Sequence, residues 1–157
     1  MSIVALTNFI RVQTRSAAPE VKYNFHNANP GTYIVHDGWG HEYLSFAYRG
    51  GVMNRSGDAI EATLVLGANA LALERVEEIV TQRWGVYVST CQMNLDFTTP
   101  RDINREYWVA TSASYDNTAI QVQLSSPIDA VDTQVPNIFL TQHNVGRLPV
   151  TGALSNY

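Results

Sequence analysis

The sequence predicts a mainly β fold of the α+β kind: an antiparallel sheet or barrel-like domain carrying one amphipathic helix and an extended C-terminal arm. Three observations carry that expectation. Several segments alternate apolar and polar side chains with the period of two that a half-buried strand requires, and one segment repeats its apolar residues at helical spacing. The C-terminal part loses both periods. At 157 residues the chain suits a single core, because two cores would each be marginal. We therefore expect a β-rich domain over 1–133 and an arm over 134–157.

Taken in order, Thr14 to Gly31 mixes Pro19, Pro30, asparagines and alternating charge, so it reads as a long loop holding a short strand at Val21 to Phe25. From Tyr43 onward Leu44, Phe46 and Tyr48 share one face and Ser45, Ala47 and Arg49 the other, until Gly50-Gly51 ends the strand. After the turn-rich stretch Asn54 to Asp58, Ile60, Ala62, Leu64 and Leu66 point inward, with Gly67 closing the second strand of a wide-looped hairpin. Asn69 suits the N-cap of the helix, in which Leu73, Val76, Val80 and Trp84 form the apolar stripe. Glu74, Glu77, Glu78 and Gln82 face water, and Gly85 occupies the place of a C-terminal glycine.

A long strand follows, where Cys91, Met93, Leu95 and Phe97 alternate with polar residues; Thr98 to Asp102 breaks it. Glu106 to Ala113 and Ala119 to Ser125 flank the turn residues Tyr115-Asp116-Asn117, which predicts a hairpin with Tyr107, Val109, Ile120, Val122 and Leu124 as core. Past Pro127, Pro136, Gly146, Pro149 and Gly152 punctuate a tail whose one apolar run is Ile138-Phe139-Leu140. An extended tail of this kind suits strand addition to the sheet edge of a neighbouring subunit.

Composition narrows the function. Hydrophobic residues make up 45% of the chain and charged ones 15%, against about 25% charged in ordinary soluble domains. Much of the surface is then uncharged polar or contact area, as in an assembly subunit. Lys22 is the only lysine, the net charge is -4, and no basic run exists to neutralise phosphates, so nucleic-acid specificity is not expected. No apolar run approaches the ~18 residues of a membrane span and the apolar start lacks a basic leader, so neither membrane nor secretion is expected.

The chemistry-bearing residues are few. Cys91 is the single cysteine, on the apolar face of a strand, where a small buried hydrophobe is commoner than a reactive thiolate. His36 and His41 flank Asp37-Gly38-Trp39-Gly40, an interval with which two or three metal ligands can be imagined; a glycine-rich loop with two solvated histidines anchored by Trp39 is the simpler reading. Tyr33, Trp39 and Tyr43 are alternatively an aromatic surface for a sugar or protein, with core packing again simpler. An enzyme would need a cleft gathering His36, His41, His143 and Asp37. No nucleophile elbow or phosphate loop is present, and no catalytic residue, metal or cofactor is expected.

Leu124-Ser125-Ser126-Pro127-Ile128-Asp129, preceded by the strand Tyr107-Trp108-Val109-Ala110, resembles the end of the N-terminal domain in the minor tail protein L family of lambda-like siphophages. The similarity runs over Trp84 to Asp129 and, with the upstream hairpin and helix, from Tyr43. The resemblance implies a structural subunit of a virion's tail tip or baseplate hub, which joins the distal end of the tail tube to the central hub. Its implied partners are copies of itself, in a closed ring, trimer or hexamer, and other phage tail proteins. Longer members continue into a cysteine-bearing iron–sulfur domain; this sequence departs from them after Pro136, and the cluster is not carried over. In this reading the arm supplies the partner-binding residues Ile138, Phe139, Leu140, Leu148, Pro149 and Tyr157. The alternatives are a receptor- or carbohydrate-binding module of a virion, and another virion position such as the head–tail junction.

Overall fold

A computed structural model describes residues 4–53, 60–94 and 100–127. The elements are β1 (Val4–Gln13), β2 (Val21–His26), β3 (Tyr33–His36), β4 (Trp39–Tyr43), β5 (Phe46–Met53), β6 (Ile60–Gly67), α1 (Ala70–Thr81), β7 (Gly85–Asn94), β8 (Arg101–Tyr115) and β9 (Ala119–Ser125). All nine strands form one sheet in the order β3-β4-β2-β1-β7-β8-β9-β6-β5. The sheet is open, with β3 and β5 at its edges. Every neighbouring pair is antiparallel except β2 and β4, which run parallel because the β3–β4 hairpin reaches out and returns beside β2. The sheet is thus mixed, with a single parallel pair.

The predicted hairpins form. β5 pairs with β6, and Ala62, Leu64 and Leu66 are buried with Phe46. Gly50 and Gly51 do not end β5, which runs through an irregularity between Arg49 and Val52 to Met53. β8 pairs with β9 across a turn in which the Asp116 carboxylate accepts from the Thr118 backbone N–H at 2.6 Å and from that of Ala119 at 3.3 Å. Val109, Ile120, Val122 and Leu124 are buried as predicted, while Tyr107 is half-buried against Tyr87. Arg101 and Asp102 belong to β8 rather than to a break. The predicted strand residues Leu95 and Phe97, the loop Asn54 to Asp58 and the arm lie outside the described residues.

Helix α1 starts where expected, with the Asn69 side-chain oxygen accepting from the Ala72 backbone N–H at 2.7 Å. Its buried residues are Ala72, Val76 and Ile79: Val76 is as predicted, the predicted Val80 is half-buried against the core and Trp84 is buried just past the helix, while Leu73 is exposed. Small Ala72 lets the helix sit close to the sheet, leaving Leu71 and Leu73 exposed. The left-handed residue after the helix is Arg83, φ 48°, and not Gly85. Gly85 instead opens β7, where a Cβ would stand 2.5 Å from the Tyr107 hydroxyl.

The central pair β1 and β7 explains the architecture. They run side by side from Val4↔Asn94 to Gln13↔Gly85, and residues paired across an antiparallel ladder share a face. Toward one end Ile10, Val12, Val86 and Val88 are buried on one face, joining the main core beneath α1 with Leu64, Trp84, Trp108, Ile120 and Leu124. Toward the other end the opposite face is covered instead, where Phe9, Cys91 and Met93 pack with Ile34 of β3. Strand β3 reaches β7 although three strands intervene in the sheet order. The sheet therefore curls so that its β3–β4 end lies over the back of β1 and β7.

Candidate functional site: a buried histidine cluster in the second core

Three strands each bring one histidine into this second core. In β3 the alternation buries Ile34 and His36 and exposes Tyr33 and Val35; in β4 it buries His41. The hairpin between them turns on Asp37 and Gly38, both at positive φ (52° and 78°), the two-residue signature of a tight β-turn. His26 closes β2 and is fully buried. The rings of His26, His36 and His41 surround Phe9 at centroid distances of 6.0, 4.5 and 5.2 Å. His36 and His41 are therefore not solvated loop residues: they fill the inner face of a strand hairpin.

A buried imidazole is tolerated when its nitrogens are paired. His26 Nε2 lies 3.0 Å from the Thr32 carbonyl, and its Nδ1 accepts from the Ala28 backbone N–H at 3.2 Å. His41 Nδ1 lies 3.0 Å from the Trp39 carbonyl. Burial pushes the basicity of both rings down, that of His41 to about 4, against the smaller opposing effect of these carbonyls. Burial also lowers His36, and here the opposing charge is Asp102, whose Oδ1 stands 3.1 Å from His36 Nε2.

Asp102 is a hub. Its Oδ1 accepts from the Cys91 thiol at 3.0 Å, while Arg105 Nε donates to Oδ2 at 2.8 Å and Arg105 Nη2 adds a second contact. Burial pushes the Asp102 carboxyl up, but donors from Cys91 and Arg105 outweigh it and hold the group below its usual range. Burial, followed by the carboxylate beside it, drives the Cys91 thiol up to about 12, so it stays protonated and unreactive. Arg105 also reaches Asp37 at 3.4 Å, and Arg11 approaches the same carboxylate at 3.6 Å while lying over the Tyr87 ring at 4.9 Å.

Part of this network borders a cavity of about 200 Å³, lined by His36, His41, Asp37, Arg11, Arg105 and Tyr107 among others. The structure thus brings together three of the four residues that an enzyme cleft would need; His143 lies outside the described residues. Of the aromatic trio, Tyr33 is 67% exposed and Trp39 42%, while Tyr43 is half-buried beside His26 at 5.9 Å. Tyr33 stands opposite Glu42 and Trp39 opposite His36, so the two rings leave opposite faces of the hairpin. They do not form one aromatic platform. The arm residues Ile138, Phe139, Leu140, Leu148, Pro149 and Tyr157 lie outside the described residues.

His26, Asp102, Arg105 and Arg11 escaped the sequence reading. Asp37-Gly38 was the available signal for the hairpin, but His26 joins it through the parallel pairing of β2 with β4 and Asp102 through the curl of the sheet, neither of which is written locally. No protein-family profile matches the chain. No curated protein matches it either. Among the described residues no helix is long and apolar enough to cross a membrane.

Proposed function

We propose that this chain is a structural subunit of a phage tail tip or baseplate hub, which links the distal end of the tail tube to the central hub by assembling with itself and with other tail proteins. The observation that carries the reading is a surface built for contact. Among the described residues the sheet ends in two open edges, β3 and β5, and Leu6, Val35, Leu71 and Ile103 are 71%, 62%, 56% and 58% exposed. Open edges and exposed apolar side chains are liabilities in a solitary protein and assets in one whose neighbours cover them. The low charge content of the chain and its resemblance to the minor tail protein L family over Trp84 to Asp129 support the same reading.

The test is the mass of the purified chain by light scattering coupled to size exclusion, alone and with the proteins encoded beside it. A closed ring, formed alone or with one partner and lost on deleting residues 134–157, is the expected result. A monomer indifferent to every partner and to the deletion would sink the proposal. Saturable glycan binding by that monomer, abolished in Trp39→Ala, would replace it with the receptor-binding alternative.

A further inference from the structure

We propose that His36 of β3, Cys91 of β7 and Asp102 of β8 form a binding site for one divalent transition-metal ion of the zinc type, which fastens the curled end of the sheet to its centre. The ligand atoms converge: Cys91 Sγ is 3.0 Å from Asp102 Oδ1, His36 Nε2 is 3.1 Å from the same oxygen, and Sγ to Nε2 is 3.8 Å. Three ligands at ordinary zinc bond lengths around a tetrahedral ion stand about 3.3–3.6 Å apart. The observed spacings bracket that range, so shifts of a few tenths of an ångström are enough.

The protonation pattern points the same way. With no ion between them, the thiol donates to a carboxylate oxygen of Asp102, and His36 Nε2 stands 3.1 Å from that same oxygen. The thiol proton occupies the space between three good ligands, and a cation takes its place. On binding, the thiol proton leaves for solvent, Cys91 becomes a thiolate, and His36 presents an unprotonated Nε2 with its proton on Nδ1. Metal–thiolate bonding offsets the cost of ionising a buried thiol that is otherwise held protonated.

The surroundings suit an outer shell. Arg105 holds Asp102 by its other oxygen, Oδ2, which leaves Oδ1 for the ion, and the Arg105 charge is shared with Asp37. The tilted Phe9 ring packs against His36 at 4.5 Å and limits its movement. One sulfur, one imidazole nitrogen and one carboxylate oxygen select zinc or cobalt over magnesium and calcium, which take oxygen ligands. Three protein ligands leave a position for water. The proposal is independent of the tail-tip reading: a metal fastening the hairpin serves any assembly state.

The test uses the full chain, freed of metal with a chelator and titrated with Co²⁺ and then Zn²⁺. Cys91 is the only cysteine, so a sulfur-to-cobalt charge-transfer band in the near ultraviolet reports on this site alone. One equivalent of Co²⁺ producing that band, its displacement by Zn²⁺, and a Zn²⁺-dependent rise in Tm are expected. Cys91→Ser abolishes the band, and Asp102→Asn weakens binding by about tenfold or more with the circular dichroism unchanged. If Cys91→Ser fails to fold, Asp102→Asn decides alone. A folded wild-type chain without the band would overturn the site. So would a Zn²⁺ affinity unchanged in Asp102→Asn, which would mark the ion as adventitious.

Discussion

The two cores of this molecule face opposite sides of the same strands and are built by different rules. The main core lies between the sheet and α1, is aliphatic and aromatic, and takes its residues from alternation within each strand. The second core is small, with Phe9, Ile34, Cys91 and Met93 as its apolar members, and three histidines complete it. One is held by non-directional burial. The other depends on polar partners for His26 and His41 Nδ1 and on a carboxylate that gathers a thiol, an imidazole and a guanidinium at once. A β-strand has two faces, and in β1 and β7 each face is buried over part of its length.

That contrast decides what was legible. The β5–β6 and β8–β9 hairpins, the helix and its Asn69 cap follow from local pattern, because a strand with one buried face writes its alternation into the sequence. β1 was not predicted: with Ile10 and Val12 buried on one face and Thr7 and Phe9 on the other, its apolar residues do not alternate cleanly. The Cys91 and Met93 alternation was correct, but it marked only the half of β7 that faces the second core. On the helix, Ala72 and Ile79 were missed and Leu73 misplaced because Ala72 and Ile79 carry no stronger signal than Leu73 and Val80. His36 and His41 share one hairpin and His26 lies on the strand beside it, but Asp102 on β8 meets them only through the curl, so spacing along the chain carries no trace of that contact.

The largest expected effect lies in the main core. Leu124 is fully buried between α1 and the sheet, and Leu124→Ala should cost about 2–5 kcal/mol, with a matching fall in the urea midpoint. Circular dichroism and tryptophan fluorescence should report one transition. If they separate, the two cores unfold independently and the shared strands do not couple them.

Acid should strike the second core first. His26 and His41 are neutral when folded because burial lowers their pKa, for His41 to about 4 from the ordinary 6.5. The unfolded chain therefore binds more protons between those values, and stability is lost as the pH falls through that window. A shift of the His41 size corresponds to on the order of 3 kcal/mol by the acid end. Urea midpoints measured from pH 7.5 to 4.5 in chelator should decline steadily below 6.5, and His26→Gln should flatten part of the slope. A midpoint indifferent to pH would mean that the histidines charge without cost and that the second core is wet.

The smallest effects compare two glycines under tyrosine rings, one on either side of the structural divide. Gly85 opens the central strand β7 with the Tyr107 ring over it, and a Cβ there would meet ring atoms at 2.5–2.9 Å. Tyr107 is backed by Tyr87 at 4.5 Å and has little freedom to withdraw, so Gly85→Ala should cost about 1–3 kcal/mol. Gly40 on β4 is covered still more closely, with the Tyr33 hydroxyl and ring over the Cβ position. Tyr33, however, is 67% exposed at the sheet edge, and its ring can swing into water. The alanine also removes backbone freedom from the unfolded chain, worth roughly 0.4–1 kcal/mol in its favour. Gly40→Ala should therefore change stability by no more than about 0.5 kcal/mol, despite the shorter distance. Paired urea melts of the two variants separate the explanations: if Gly40→Ala costs as much as Gly85→Ala, the edge hairpin is held as firmly as the central strands, and the distinction between the two cores fails at their boundary.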